Sequence, residues 1–159
     1  MATKKPAKKV PAKKSAPRKA RAKAAPAKSR GASLALSSAS PSLTVNDLTK
    51  SLAFYRDVLG FAVEQTWDDD GKVTGVSLRA GGVSFMIGQD DWKKGRNRSK
   101  GVGFRMFCMT DKNVDALAKG IEARGGKLDQ GPRDQLWGVR DISLTDPDGF
   151  KITIAADKR

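Results

Sequence analysis

The residues whose type and spacing most clearly suggest chemistry are the basic side chains near the start of the chain. Twelve Lys and Arg residues lie between Lys4 and Arg30, and no Asp or Glu occurs before Asp47. A flexible arm of cations neutralises phosphates and releases counterions, so it binds polyanions without reading their sequence. The candidate nucleic-acid-binding residues are Lys4, Lys5, Lys8, Lys9, Lys13, Lys14, Arg18, Lys19, Arg21, Lys23, Lys28 and Arg30.

DNA is the partner that we favour for this arm, although RNA, polyphosphate or an anionic membrane surface would satisfy the same argument. The arm contains no aromatic residue to stack on bases, so base recognition is not expected. Two other interpretations stay open, a transit peptide and a solubilising extension. Residues 47–159 carry nineteen basic and seventeen acidic side chains, so the net charge of +14 belongs almost wholly to the arm.

The sequence has no histidine and one cysteine, Cys108. It therefore lacks the residues for Ser-His-Asp or Cys-His catalysis and the commonest transition-metal ligand. A single cysteine forms no disulfide within the chain, which favours a reducing compartment. We expect Cys108 to be a small buried apolar residue, and we expect a cytoplasmic protein that the arm could place near the nucleoid.

Composition divides the chain into a tail and a folded domain. Residues 1–40 are rich in Lys, Ala, Pro and Ser and hold too few large apolar residues to offset the entropy of ordering, so we predict a disordered basic tail and linker. Residues 41–159 are long enough for one domain with its own core. Within that domain, residues 41–89 and 102–155 show the same succession of patterns.

In each repeat, a strand is followed by a capped helix and three more strands. Asn46-Asp47 supplies the first helix cap and Asp111 the second, and Gly60 and Gly125 end the two helices. Further strands are predicted over 61–67, 73–78 and 83–87 in the first repeat. In the second repeat they are predicted over 127–129, 138–144 and 150–154, after an opening strand over 102–109. The sequence therefore predicts a duplicated βαβββ unit.

This order, together with LTVNDLTKSLAFYRDVLGF (43–61), GGVSFMIGQDDW (81–92) and WGVRDISLTDPDGFKITI (137–154), resembles the vicinal oxygen chelate superfamily of glyoxalases, bleomycin resistance proteins and dioxygenases. The resemblance implies an α+β fold in which two tandem βαβββ repeats form a cupped mixed sheet. It is greatest to the small bleomycin-resistance branch, whose members are typically homodimers with a pocket where two sheets meet. The arm resembles the Lys/Ala/Pro-rich tails of linker histones.

The resemblance also locates four positions where the family usually places metal ligands, and here these are Ser40, Met86, Phe104 and Thr153. Two hydroxyls, a thioether and a phenyl ring are poor ligands for a divalent ion. We therefore expect no metal, no cofactor and no catalytic residue, and a protein that binds or sequesters a small hydrophobic, flat or cationic ligand. The alternatives are a metal-dependent lyase or dioxygenase of the same superfamily, and a nucleic-acid-associated architectural protein whose domain only dimerises.

Six residues are candidates for lining the ligand pocket. Phe104 and Met106 would face the cup if Phe107 and Met109 pack on the second helix, although all four could be core residues. Trp92 could instead anchor its loop. The full set of ligand-binding candidates is Met86, Trp92, Phe104, Met106, Trp137 and Thr153.

Overall fold

The computed structural model describes residues 38–158, so the basic arm lies outside the described residues. These residues form the α+β fold with two tandem βαβββ units that the sequence predicts. The first unit comprises β1 (Ser42–Val45), α1 (Leu48–Ala53), β2 (Ala62–Asp69), β3 (Lys72–Ala80) and β4 (Val83–Gln89). The second comprises β5 (Arg105–Met109), α2 (Val114–Ala123), β6 (Gln130–Asp134), β7 (Val139–Thr145) and β8 (Lys151–Asp157).

The two units have the same sheet topology. The first sheet has the strand order β1-β4-β3-β2, and the second has the equivalent order β5-β8-β7-β6. In each sheet the opening strand pairs in parallel with the last strand of its unit, whereas the other pairs are antiparallel. This equivalence confirms the internal duplication.

The first helix begins where its cap was predicted. The carboxylate of Asp47 accepts a hydrogen bond from the backbone N–H of Lys50 at 3.0 Å. After α1, the chain continues as a π-helical segment, Phe54–Val58, and it turns away at Gly60, whose φ of 85° suits glycine.

Three boundaries in the second unit differ from those predicted. The cap of α2 is Asn113 rather than Asp111, since the Asn113 side chain accepts from the N–H of Ala116 at 2.9 Å. β5 begins at Arg105 because a turn precedes it, closed by a hydrogen bond from the N–H of Phe104 to the carbonyl of Gly101. β6 begins at Gln130, later than predicted, and it accommodates Pro132 because it is the edge strand of its sheet.

One buried core joins the two units on their helical sides. It includes Phe85 and Ile87 from the first sheet and Ile142 and Leu144 from the second. Tyr55 is fully buried in this core, and its hydroxyl donates to the carboxylate of Asp146 at 2.9 Å across the two units. Burial raises the pKa of the Asp146 carboxyl and also, with Asp146 nearby, that of the Tyr55 hydroxyl.

Replacing Tyr55 with Phe is expected to lower the free energy of unfolding by about 1–3 kcal/mol, because one oxygen of the buried Asp146 carboxylate would lose its donor. Urea unfolding at neutral pH measures the change. A double-mutant cycle with Asp146→Asn isolates the pair, and additive effects of the two substitutions would contradict the proposed coupling.

Candidate functional site

Each sheet has a face that points away from the helical core, which we call its open face. Direct cross-strand partners share a face, and neighbours along a strand alternate between faces. Because Phe85 and Ile87 point into the core, Met86 belongs to the open face of the first sheet, beside its partners Ser42 and Ser77. A contact between Met86 and a ligand stays a prediction.

Trp67 also lies on the open face of the first sheet. It pairs with Gly75, and a Cβ atom added to Gly75 would lie 3.3 Å from the Trp67 ring. The indole thus covers a strand position that has no side chain of its own. Trp67 is 36% exposed, so a large apolar side chain remains accessible on the same sheet face as Met86.

On the second sheet, the two faces of β5 are the reverse of the arrangement expected. Met106 is buried and Cys108 is partly buried in the helical core, where burial raises the pKa of the Cys108 thiol. Phe107 and Met109 instead lie on the open face, 51% and 50% exposed. The assignment of Met106 to the ligand side is therefore wrong, because its cross-strand partner Ile152 is a core residue.

Phe104 also packs in the core rather than on the open face. Its ring meets that of Phe150 edge to face, with centroids 5.9 Å apart. The open-face residue adjacent to it is Arg105, the Cα partner of Lys151. Thr153 does belong to the open face, and its hydroxyl accepts a hydrogen bond from Nη1 of Arg105 at 2.7 Å.

Trp92 lies in the loop between the two units, where its backbone has a φ of 60°. The backbone N–H of Trp92 donates to the Asp90 carboxylate at 2.8 Å. The cations of Arg96 and Lys100 lie 4.9 and 5.5 Å from the centroid of the indole ring. These contacts make Trp92 a packed residue of a charged loop. A ligand contact by Trp92 stays a prediction.

Trp137 lies in the hairpin turn between β6 and β7, not at the start of a strand. The turn is closed by a hydrogen bond from Gly138 to Gln135, and the Trp137 side chain is 67% exposed. Its predicted contact with a ligand is untested.

The four family metal positions do not form a metal site in this structure. Ser40 makes a hydroxyl contact with Ser84 at 3.1 Å, and Phe104 is a core ring. The fixed cation of Arg105 beside the Thr153 hydroxyl would repel a divalent ion there. Among residues 38–158, no group of three or more Cys, Asp or Glu side chains is arranged to hold one. The residues present therefore do not fit the family metal.

Sequence reasoning missed Phe107, Met109 and Lys151. Arg140 donates to Asp115 and Asp134 at 2.8 Å. These hydrogen bonds lower the pKa of the Asp115 carboxyl, whereas Lys158, followed by Arg140, lowers the pKa of Asp134. The parallel pairing of β5 and β8 brings Arg105 beside Lys151, a contact that no local motif encodes.

Comparisons with known proteins agree with this architecture. Residues 33–154 match the model of the Glyoxalase/Bleomycin resistance protein/Dioxygenase superfamily. A comparison with curated protein sequences gives no significant match. In the part of the chain that the structure describes, no helix is long and apolar enough to cross a membrane.

Three of the solved structures with a similar fold come from different bacteria. TioX from Micromonospora sp. ML1 is 18% identical, with a TM-score of 0.62 over 76% of this chain and 100% of that one. TnmS3, an antibiotic binding protein from Streptomyces sp. CB03234, is 24% identical, with a TM-score of 0.61 over 79% and 99%. A glyoxalase-related enzyme from Clostridium phytofermentans is 17% identical, with a TM-score of 0.60 over 80% and 99%.

Proposed function

Because the chain belongs to the Glyoxalase/Bleomycin resistance protein/Dioxygenase superfamily, we propose that it binds and sequesters a small, flat, largely hydrophobic molecule without a metal ion. The observation that carries this proposal is the exposure of Trp67, Phe107 and Met109 on sheet faces that the helical core leaves uncovered. Aromatic and thioether side chains suit an adaptable apolar binding surface. The antibiotic-binding description of TnmS3, which has a similar fold, is consistent with this role.

We propose that a homodimer completes the pocket. Each open face exposes large apolar side chains, and contiguous exposed apolar surface marks sites of association or ligand binding. A second copy that places its first sheet opposite the second sheet of its partner would enclose Met86 and Trp67 with Phe107 and Met109. The ligand would then lie between two apolar walls, out of water.

We further propose that the basic arm holds this binding domain near nucleic acid. The support is electrostatic, since the arm carries twelve cations and no acid, whereas the domain is nearly neutral. A ligand that attacks DNA would be captured close to its target.

N-phenyl-1-naphthylamine, a neutral flat probe whose fluorescence rises in apolar sites, tests the binding proposal. We expect saturable binding, and we expect Phe107→Ala/Met109→Ala to weaken it by about ten-fold or more through the loss of two apolar contacts. Leu136→Ala, which removes an exposed side chain from the β6–β7 turn, is the control and should bind as the wild type does.

Sedimentation and metal analysis of the same purified protein complete the test. We expect a dimer that contains no stoichiometric metal. Zn, Ni, Mn or Fe at one equivalent per chain would overturn metal-free binding, and a monomer that binds the probe with full affinity would overturn the shared pocket.

A further inference from the structure

We infer that the open face of the second sheet contains an oxyanion site, so that the ligand is a planar apolar molecule bearing an acidic group. This inference deepens the proposed function and rests on it. It replaces the expected cationic ligand with an anionic one. The cavity that carries it, which we call the basic cavity, has a volume of about 550 Å³ and lies where β5 and β8 begin.

The basic cavity is lined by three cations and no acid. Its residues are Lys100, Gly101, Val102, Gly103, Phe104, Arg105, Gly149 and Lys151. Lys100 is neutralised, since its ammonium pairs with the buried carboxylate of Asp90. Arg105 and Lys151 are not, because no carboxylate of residues 38–158 lies within 4.0 Å of either cation. All the Asp and Glu residues of the sequence lie in that range, so no acidic side chain is left over to pair with them.

In a second cavity, acidic side chains accompany the cations. That cavity, of about 720 Å³ at the start of α2, is lined by Lys112, Arg140 and Lys158. Four carboxylates accompany them, those of Asp111, Asp115, Asp134 and Asp157. Carboxylates therefore outnumber cations by one in this cavity, whereas two positive charges in the basic cavity have no acid beside them.

Arg105 is also held in place. Its Nη1 donates to the hydroxyl of Thr153, which is only 5% exposed, so a neutral partner orients the guanidinium without cancelling its charge. An arginine fork fixed in this way presents its remaining N–H donors to a planar or tetrahedral oxyanion. Lys151, its Cα partner on β8, adds a second cation on the same face.

Two glycines, Gly101 and Gly149, form part of the cavity wall. Gly101 and Gly149 cross closely, and a Cβ atom at Gly101 would overlap the carbonyl oxygen of Gly149. Both residues have positive φ values, 69° and 91°, which favour glycine. This crossing therefore contributes only backbone atoms to the cavity lining.

The apolar part of the ligand would lie along β5. Arg105, Phe107 and Met109 follow one another on the open face, about 7 Å apart. A cation at one end of a strip of aromatic and thioether surface fits a flat ring with an acid at its edge. Carboxylate, sulfonate and phosphate share this chemistry.

A matched pair of probes tests the inference on the full-length protein. 8-Anilinonaphthalene-1-sulfonate has the ring system of N-phenyl-1-naphthylamine and adds one sulfonate. We expect the sulfonate probe to bind at least about ten-fold more tightly, and we expect Arg105→Gln/Lys151→Gln to abolish that preference while leaving the neutral probe unaffected. Displacement by 2-naphthoate and by 2-naphthyl phosphate then shows which acid is preferred.

The control is Lys72→Gln/Lys127→Gln, which removes two positive charges from exposed positions outside the basic cavity. It should retain the sulfonate preference. Equal affinity for both probes in the wild type, or equal loss of preference in the control, would overturn the oxyanion site while leaving the proposed function intact. Failure of both probes to bind would overturn the two together.

Discussion

Deletion of residues 1–32 is expected to weaken binding to double-stranded DNA by about a thousand-fold or more near 0.1 M salt. The deleted segment holds twelve cations, and the residues that remain have a net charge of only +2. Each phosphate neutralised contributes roughly −0.9 to the slope of log affinity against log salt, so the intact chain should approach a slope of about −10. Electrophoretic shifts across a salt series measure both quantities.

A chain with residues 1–32 in scrambled order is the control for this deletion. Because the argument depends on charge and not on order, the scrambled arm should bind as tightly as the natural one, to DNA of any sequence. The arm has no role in polyanion binding if the deletion leaves affinity and salt slope unchanged. If the protein with the natural arm binds DNA and the protein with the scrambled arm does not, the interaction is specific to the arm sequence.

Replacing Asp90 with Asn is expected to lower the melting temperature by about 10 °C at pH 7. The Asp90 carboxylate is buried and accepts from Lys100, from the N–H of Trp92 at 2.8 Å and from Arg98 at 2.6 Å. Lys100 is itself only 6% exposed, so the substitution leaves a buried ammonium without its counter-charge. The loop that carries Trp92 and borders the basic cavity should loosen with it.

The pH dependence of this effect has a definite sign. The Lys100 ammonium, followed by the Trp92 N–H and Arg98, holds the pKa of Asp90 well below its ordinary value of 3.8. A carboxyl whose pKa is lower in the folded protein than in the unfolded protein stabilises the fold at every pH above its pKa in the unfolded protein. This stabilisation is lost as the pH falls towards and through its pKa in the folded protein. The difference in melting temperature between wild type and Asp90→Asn should therefore be full above about pH 5 and shrink on acidification below about pH 4.

Asp91→Asn is the matched control for Asp90→Asn. Asp91 is the adjacent residue, but its side chain is 59% exposed and pairs with Lys93 at the surface. Surface pairs of this kind contribute little, so we expect a change of no more than about 2 °C. Equal effects of the two substitutions would contradict a special role for the buried carboxylate.

Much of the fold could be predicted because its signals are local. The Asp47 cap, the helix end at Gly60 and the alternation in β1, β3 and β4 each depend on residues a few positions apart. The same signals occur twice, and their repetition predicted the duplicated unit. A boundary was predicted wrongly where two local signals compete, as Asp111 and Asn113 do for the cap of α2.

By itself, the sequence determined the duplicated βαβββ order, the charge of the arm and the absence of histidine. Only the tertiary structure decided which side of β5 faces outward. Met106 and Cys108 alternate with Phe107 and Met109, so both faces are apolar and periodicity favours neither; packing against the partner residues Ile152 and Ile154 makes the choice. Arg105 and Lys151 are likewise 46 positions apart in the chain, and they become neighbours because parallel pairing aligns two distant strands.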